Sequence, residues 1–139
     1  MGNCQTVDYI TIKRARFNSI SGPVNLPYGT AVECTDGFLS IDGKPLCADH
    51  SQNAYDFFAR NDDGNGLERG KLTQAIRKKL EKRDKQHENR WYKVWTDPRC
   101  QKYKRAEHAD YWLWNHDFFN AEITDLRHIA ALVGAKGGA

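Results

Sequence analysis

The chain has 139 residues, with 21 Lys and Arg against 18 Asp and Glu, and a formal net charge of +3. Its 40% hydrophobic and 12% aromatic content is typical of a folded chain and argues against disorder. No segment approaches the roughly 18 consecutive apolar residues that a membrane span needs, and the first residues lack the apolar core of a signal peptide. We therefore expect a cytoplasmic protein without a membrane partner.

The length predicts one domain over residues 1–139. Within it we expect a β-rich part at residues 1–50, a helical part at 51–134 and a frayed tail at 135–139. Positive charge is concentrated in the helical part, because 14 of the 21 basic residues lie between positions 69 and 105. The same stretch contains only four acids, Glu81, Asp84, Glu88 and Asp97. Such a concentration of positive charge usually binds an anionic partner.

Short segments rich in β-formers fill the first third of the chain. Thr35-Asp36-Gly37 and Asp42-Gly43 lie between such segments and are hairpin signals. The pattern predicts four to five short strands in a small twisted antiparallel sheet or a partly closed barrel.

Helical patterns follow the strands. Ser51 is predicted to cap a short helix over 52–60, and one long helix is predicted over 67–95. Two C-terminal helices are predicted over 99–110 and 121–133, the last with Asn120 as N-cap and Gly134 just past its end. Strands first and helices after predict an α+β fold.

Two weak metal patterns occur. The segment 61–66 resembles the first half of an EF-hand loop, but the two closing positions hold Glu68 and Leu72 where an apolar residue and a bidentate Glu are needed. We favour a connector that starts the next helix. Cys47 and His50 form one Cys-x-x-His pair, which needs two more ligands to hold zinc. The remaining candidates are Cys34, Cys100, His108 and His116. Their spacing fits no familiar site, so we expect no metal.

Projected as one helix, residues 67–95 separate lysine from arginine. The apolar face contains Leu72, Ile76, Leu80, Trp91, Val94 and Trp95. The opposite face contains Lys71, Lys78, Lys82, Lys85 and Lys93. The basic residues within or beside the apolar face are instead Arg69, Arg83, Arg90 and His87.

This separation has physical weight, because lysine suits open water whereas the planar, weakly hydrated guanidinium suits enclosed sites. A buried, unpaired charge would cost several kcal/mol. Acids of this chain or of a twin chain could pair with the arginines, the helix could extend to a partner chain, or an anionic ligand could bind there. Pairing is the simpler explanation for any single arginine. In the ligand hypothesis Arg69, Arg83 and Arg90 hold phosphates, with His87 beside them.

A dense aromatic block covers residues 111–119. Trp114 could stack on a nucleobase, and Asn115 could pair with an adenine edge, with His116 next to them. The alternative is that these rings fill the space between helices and sheet.

Sequence signals for catalysis are few. His116 and Asp117 are adjacent, which does not make a catalytic dyad, and no nucleophile motif or pair of carboxylates stands out. No glycine pattern matches a phosphate-binding loop. We expect a non-enzymatic protein without a cofactor.

The segments DGNGLERGKL (63–72) and WLWNHDFF (112–119) resemble those of small phage and prophage proteins. The strands-then-helices order is also similar to the Thoeris anti-defence sponge proteins. That resemblance implies a homo-oligomer in the bacterial host that binds cyclic ADP-ribose signals, or in some members cyclic oligonucleotides, without cleaving them. It assigns no ligand residue on this chain.

The leading hypothesis is therefore a binding protein that sequesters an anionic, phosphate-bearing nucleotide. The alternative is a DNA- or RNA-binding protein that uses the whole basic stretch, including Lys102, Lys104 and Arg105. A third hypothesis is an inhibitor whose basic helix docks on an acidic protein surface.

Overall fold

A computed structural model of the chain describes residues 6–103 and 116–135. It confirms the α+β class, with strands in the N-terminal half and helices after them. The chain divides into two compact units, residues 1–70 and 71–139. Each unit is described by itself below.

Antiparallel pairing joins all the described strands. They are β1 (Thr6–Thr11), β2 (Ala15–Ser19), β3 (Gly22–Leu26), β4 (Ala31–Thr35), β5 (Phe38–Ile41), β6 (Lys44–Ala48) and β7 (Phe58–Arg60). Five of them form one sheet in the order β6-β5-β4-β1-β7, and β2 pairs with β3 in a separate two-stranded sheet. Alternation along the strands buries Tyr9, Val32, Cys34 and Leu39 in a common core.

The two predicted hairpins are confirmed. Asp36 and Gly37 have φ of 52° and 79°, and Asp42 and Gly43 have φ of 50° and 78°. Two consecutive residues with positive φ are the requirement of a type I′ turn, which matches the right-handed twist of the flanking strands. The local turn chemistry therefore sets the β4-β5 and β5-β6 connections.

Helix α1 (Gln52–Phe57) begins at the predicted cap, where the Ser51 Oγ accepts a hydrogen bond from the Ala54 N–H at 3.2 Å. The predicted end at residue 60 is wrong, because β7 starts at Phe58. Its backbone pairs with β1, with Thr11 opposite Phe58 and Tyr9 opposite Arg60. Sheet pairing outweighs the helical pattern at these three residues, and periodicity alone does not contain that information.

The single helix predicted over 67–95 is wrong in extent. The structure has α2 (Gly66–Glu81) and α3 (His87–Thr96), separated by residues 82–86. Residues 81–86 are all exposed, so no burial supports a helix there. The Asp84 carboxylate instead accepts a hydrogen bond from the Gln86 N–H at 3.0 Å, a local contact that competes with helix continuation.

The C-terminal part contains a 3-10 helix (Pro98–Tyr103) and two further helices, α4 (His116–Phe119) and α5 (Ile123–Val133). The 3-10 helix occupies the start of the helix predicted over 99–110, whose remainder lies outside the described residues. Helix α5 starts two residues later than predicted, with Glu122 rather than Asn120 at the N-cap position. Its predicted end is confirmed, because Gly134 has a left-handed φ of 72° and donates to the last-turn carbonyls.

Candidate functional site

Arg69 is completely buried and contacts Arg60 and Asp63 of the first unit. Its Nη1 donates to the Arg60 carbonyl at 2.6 Å and to the Asp63 Oδ1 at 3.1 Å, and its Nη2 donates to the Asp63 Oδ2 at 2.5 Å. The Arg69 hydrogen bonds hold the pKa of Asp63 far below its usual range. These contacts account for a buried guanidinium without a ligand, so the ligand-binding role predicted for Arg69 gains no support from them.

The same interaction explains the half EF-hand pattern. The Asp63 carboxylate, which would be a calcium ligand, faces the Arg69 guanidinium, and Leu72 at the closing position is only 1% exposed. The Asn61 Oδ1 accepts from the Gly66 N–H at 2.8 Å at the start of α2. The loop therefore serves as a connector that starts α2, the alternative that the sequence favours.

Arg90 makes a second bidentate pair, in the second unit. Its Nη2 lies 2.7 Å from the Asp84 Oδ1, and its Nη1 lies 3.4 Å from the Asp84 Oδ2. The Nε donates to the Lys79 carbonyl at 3.0 Å, and the Nη2 donates to the Lys82 carbonyl at 2.9 Å. We call Arg90, Asp84 and these two carbonyls the Arg90 clasp. The Arg90 hydrogen bonds also lower the pKa of the Asp84 carboxyl.

Two neighbours of Arg90 on α3 strengthen the same corner. The Trp91 Nε1 donates to the Leu80 carbonyl at 2.8 Å, and the His87 Nδ1 lies 2.8 Å from the Lys82 carbonyl. A carbonyl oxygen only accepts, so this geometry requires the hydrogen of His87 on Nδ1. The last carbonyls of a helix lack intrahelical partners, and a cation next to them is favourable. Helix α3 therefore caps the C-terminal end of α2.

The predicted separation of lysine from arginine is mostly confirmed. All five lysines predicted to face outward, Lys71, Lys78, Lys82, Lys85 and Lys93, are exposed. Arg69 and Arg90 are buried as predicted. The inward position predicted for Arg83 is wrong, since its side chain is exposed. The helical projection fails there because α2 ends at Glu81.

A cleft of about 470 Å³ lies next to the clasp. Its lining consists of Ala75, Lys78, Lys79, Lys82, Gly134 and Ala135. We call it the lysine cleft. Its three lysines come from the last turn of α2 and the residue after it, and the other wall is the end of α5, where Gly134 turns the chain. Within the described part of the chain, the lining includes no carboxylate and no aromatic ring.

The charges of the lysine cleft are only partly neutralised. The Lys82 Nζ lies 3.7 Å from the Asp84 Oδ2, a long contact between exposed groups. Among the ion pairs of the described residues, none includes Lys78 or Lys79. Three like charges over one helical turn repel each other. The cleft is therefore a region of positive potential that an anion would relieve.

This cleft was not predicted from the sequence. The helical projection predicts a solvated face for Lys78 and Lys82 and does not single out Lys79. One signal was available, the like charges of Lys78 and Lys82 four residues apart. Such a pair destabilises a helix by a few tenths of a kcal/mol, so its presence suggests a function. The contribution of Gly134 and Ala135, some 50 positions further along, has no sequence signal.

Three predicted ligand residues cannot be placed in this site. Trp114 and Asn115 lie outside the described residues, and of His116 only the backbone is described, at the start of α4. His87 contacts the clasp through its Nδ1. The structure therefore brings His87 and Arg90 together.

A buried carboxylate, Asp125 on α5, organises the C-terminal part of the second unit. The Arg99 Nη2 lies 2.8 Å from its Oδ1, and the Lys102 Nζ and the Tyr103 Oη each lie 2.6 Å from its Oδ2. Burial by itself would raise the pKa of Asp125, but the hydrogen bonds from Lys102, Tyr103 and Arg99 outweigh it and lower that pKa to about 2. The cluster is a structural tie between the 3-10 helix and α5.

We expect Asp125→Asn to lower the free energy of unfolding by roughly 2 kcal/mol at neutral pH. The folded pKa of Asp125 is depressed, so its stabilisation is fully present above the unfolded value near 4 and is lost as the pH falls toward 2. The difference between wild type and variant, measured by urea denaturation, should shrink over this interval. The exposed Asp42→Asn is the control, with no difference expected at any pH; a constant Asp125→Asn deficit down to pH 2 would contradict the assignment.

Metal-ligating side chains do not cluster in the described residues: no three of His, Cys, Asp or Glu come together there in a way that could hold a metal ion. Cys47 is buried and His50 lies against Asp49. None of the described helices is both long and apolar enough to cross a membrane.

Comparison with known proteins gives no match: no family model, curated protein sequence or solved structure is similar to this chain.

Proposed function

We propose that this chain is a non-enzymatic binding protein that sequesters a phosphate-bearing nucleotide signal, of the cyclic ADP-ribose or cyclic oligonucleotide class, and so counters a host defence as a phage-type protein. The observation that carries the proposal is the lysine cleft, with its three lysines and a lining of described residues that holds no carboxylate. Its volume of about 470 Å³ falls within the range of small-molecule sites.

Lysine is a regular phosphate ligand, acting as a point charge rather than as a bidentate fork. Lys78, Lys79 and Lys82 all line the cleft at one helix end, so one or two phosphates bound there would lie among three lysines. The Arg90 clasp fixes the backbone at Lys79 and Lys82, which reduces the ordering cost of binding. Such a lining supplies charge and donors, which bind a phosphate without cleaving it.

Replacing the three cleft lysines together, Lys78→Gln, Lys79→Gln and Lys82→Gln, should weaken binding of cyclic ADP-ribose or a cyclic dinucleotide at least tenfold. The reason is that each lost charge-assisted contact contributes about 1.5–3 kcal/mol at most and less when exposed. Isothermal titration calorimetry at fixed salt measures the effect. Native mass spectrometry of the same samples gives the oligomer mass and any co-purified nucleotide, which tests the proposed homo-oligomer.

The matched control replaces three exposed lysines outside the cleft lining, Lys71→Gln, Lys85→Gln and Lys93→Gln. Both triple variants lose three positive charges, so the control should bind within about threefold of wild type. Equal weakening by both triples would mean that overall charge, and not the cleft, binds the ligand. Absence of binding by the wild type to every nucleotide of this class would overturn the proposal.

Nucleic-acid binding is the second candidate, and the exposed side of α3 favours it. Tyr92 is 68% exposed and is followed by the exposed Lys93, with the exposed Arg83 and Lys85 in the preceding turn. An exposed ring among cations can stack on a base of a single strand. A gel shift at two salt concentrations tests it, because counterion release makes such binding fall steeply with salt. No shift at low salt would remove this candidate.

A further inference from the structure

Asp84 is shared between the Arg90 clasp and the lysine cleft. Its carboxylate is held on one side by Arg90 through two contacts, the shorter at 2.7 Å. On the other side it lies 3.7 Å from the Lys82 Nζ, and Lys82 lines the cleft. The Asp84 side chain is 33% exposed and that of Lys82 is 61% exposed, so an ion from solution can reach both.

The two contacts of Asp84 differ in strength. A bidentate pair with a guanidinium has fixed geometry and strong hydrogen bonds, and Arg90 is further held by the Lys79 and Lys82 carbonyls. The contact with Lys82 is a long, single, exposed ion pair, a kind that contributes little. An arriving anion would therefore displace Asp84 from Lys82 and leave the contact between Asp84 and Arg90 in place.

We propose that Asp84 is a built-in competitor for the anion at Lys82, held in position by Arg90, so that a ligand gains most of its binding from charges that also engage Lys78 and Lys79. This inference rests on the proposed function. In the free protein the carboxylate partly neutralises Lys82, and in the complex it remains nearby and repels the ligand. An anion that reaches only Lys82 gains little, because it replaces one carboxylate with another negative group. A diphosphate has two charges close together and can engage Lys78 and Lys79 as well. These additional contacts strengthen its binding.

The chemical class that follows is a diphosphate-bearing ligand. A cyclic oligonucleotide carries single charges on separated phosphodiesters, whereas cyclic ADP-ribose carries its two charges on a diphosphate. The cleft should therefore bind inorganic pyrophosphate and cyclic ADP-ribose more tightly than a cyclic dinucleotide. The described lining contains no aromatic ring for a base to stack on, which agrees with recognition through the phosphates.

The decisive experiment compares wild type with Asp84→Asn by calorimetry, using pyrophosphate, cyclic ADP-ribose and a cyclic dinucleotide as probes. Asparagine keeps an oxygen that can accept from Arg90 but removes the competing charge. We expect pyrophosphate to bind about fivefold tighter to Asp84→Asn, which is the lower range of usual coupling between groups. Glu88→Gln removes the same charge from an exposed position of α3 and should change the affinity less than twofold.

A double variant isolates the contact. If Asp84 acts through Lys82, the gain from Asp84→Asn disappears in a Lys82→Gln background. In wild type, Lys82→Gln should also weaken pyrophosphate binding less than Lys78→Gln does, because Asp84 already neutralises part of the Lys82 charge. This ranking uses only exposed lysines and keeps the test decisive should Asp84→Asn fail to fold.

The outcomes separate this inference from the proposed function. If wild type binds a probe but Asp84→Asn, folded by circular dichroism, binds pyrophosphate equally or more weakly, the competitor role is overturned and the binding function stands. The competitor role is likewise overturned if the gain persists without Lys82, or if the cyclic dinucleotide binds more tightly than cyclic ADP-ribose. If no probe binds to any variant, the proposed function itself is overturned.

Discussion

Asp63→Ala is expected to lower the free energy of unfolding by about 3–5 kcal/mol, the usual effect of removing one partner of a buried ion pair. The Arg69 side chain is 0% exposed, and Asp63 is its acidic partner through two hydrogen bonds. Without that carboxylate the guanidinium keeps only its other acceptors, among them the Arg60 carbonyl at 2.6 Å. Because the guanidinium then loses both carboxylate hydrogen bonds while it stays buried, the folded state loses stability. Chemical denaturation at pH 7 measures the change.

The neighbouring acid supplies the control. Asp62 is 44% exposed and lies 3.3 Å from the Arg60 Nη1, an exposed pair that should contribute about 1 kcal/mol or less. Asp62→Ala removes the same charge one position away, so a net-charge effect would be equal in both variants. Similar losses for Asp62→Ala and Asp63→Ala would contradict the assignment of Asp63 as the counterion of a buried arginine.

Gly70→Val is expected to destabilise the protein by about 3 kcal/mol, through overpacking. A Cβ on Gly70 would contact the Ile12 Cγ2 and lie 2.7 Å from the Ile12 Cβ, and a Cβ on Gly66, one turn earlier, would lie 2.6 Å from the Ile10 Cγ2. Glycine at both positions lets the first turn of α2 lie directly on Ile10 of β1 and on Ile12, just past the end of that strand. Valine at position 70 would force these backbones apart. Thermal and urea unfolding measure the loss.

Two further variants test this explanation. Lys71→Val puts the same residue at the next, exposed helical position and should cost only about 0.5 kcal/mol of helix propensity. Ile12→Ala removes the Cγ2 and Cδ1 atoms that valine would meet, so the penalty of Gly70→Val should fall by about 1 kcal/mol or more in that background. An additive double variant would show that the loss has another origin.

The parts of the fold predicted correctly are those encoded locally. Asp36-Gly37 and Asp42-Gly43 specify their turns by themselves, and Ser51 specifies the start of α1 in the same way. The errors occur where contacts that helical periodicity does not record decide the structure. Residues 58–60 follow a helical pattern but pair with β1, and the predicted long helix is interrupted by Asp84, whose partners are Gln86 and Arg90.

The candidate site shows the same division. Residue chemistry on one helical face predicted that Arg69 and Arg90 would be buried, and it could not show whether acids or a ligand would neutralise them. The partners Asp63 and Asp84 are each six positions from their arginine, a spacing that depends on the turn conformation between them. The lysine cleft forms only because Gly134 and Ala135 lie next to the end of α2. This is a tertiary contact, which the local sequence does not encode.

The capping of α2 by side chains of α3 has a consequence for how the second unit folds. Arg90 and Trp91 donate to carbonyls 11 positions earlier in the chain, so the loop that must close is short and its entropic cost is low. The end of α2 is capped only when α3 is in place, which couples the formation of the two helices. Contacts of this range favour rapid folding, and the corner is therefore a natural nucleus on which the later chain, including α5, can assemble.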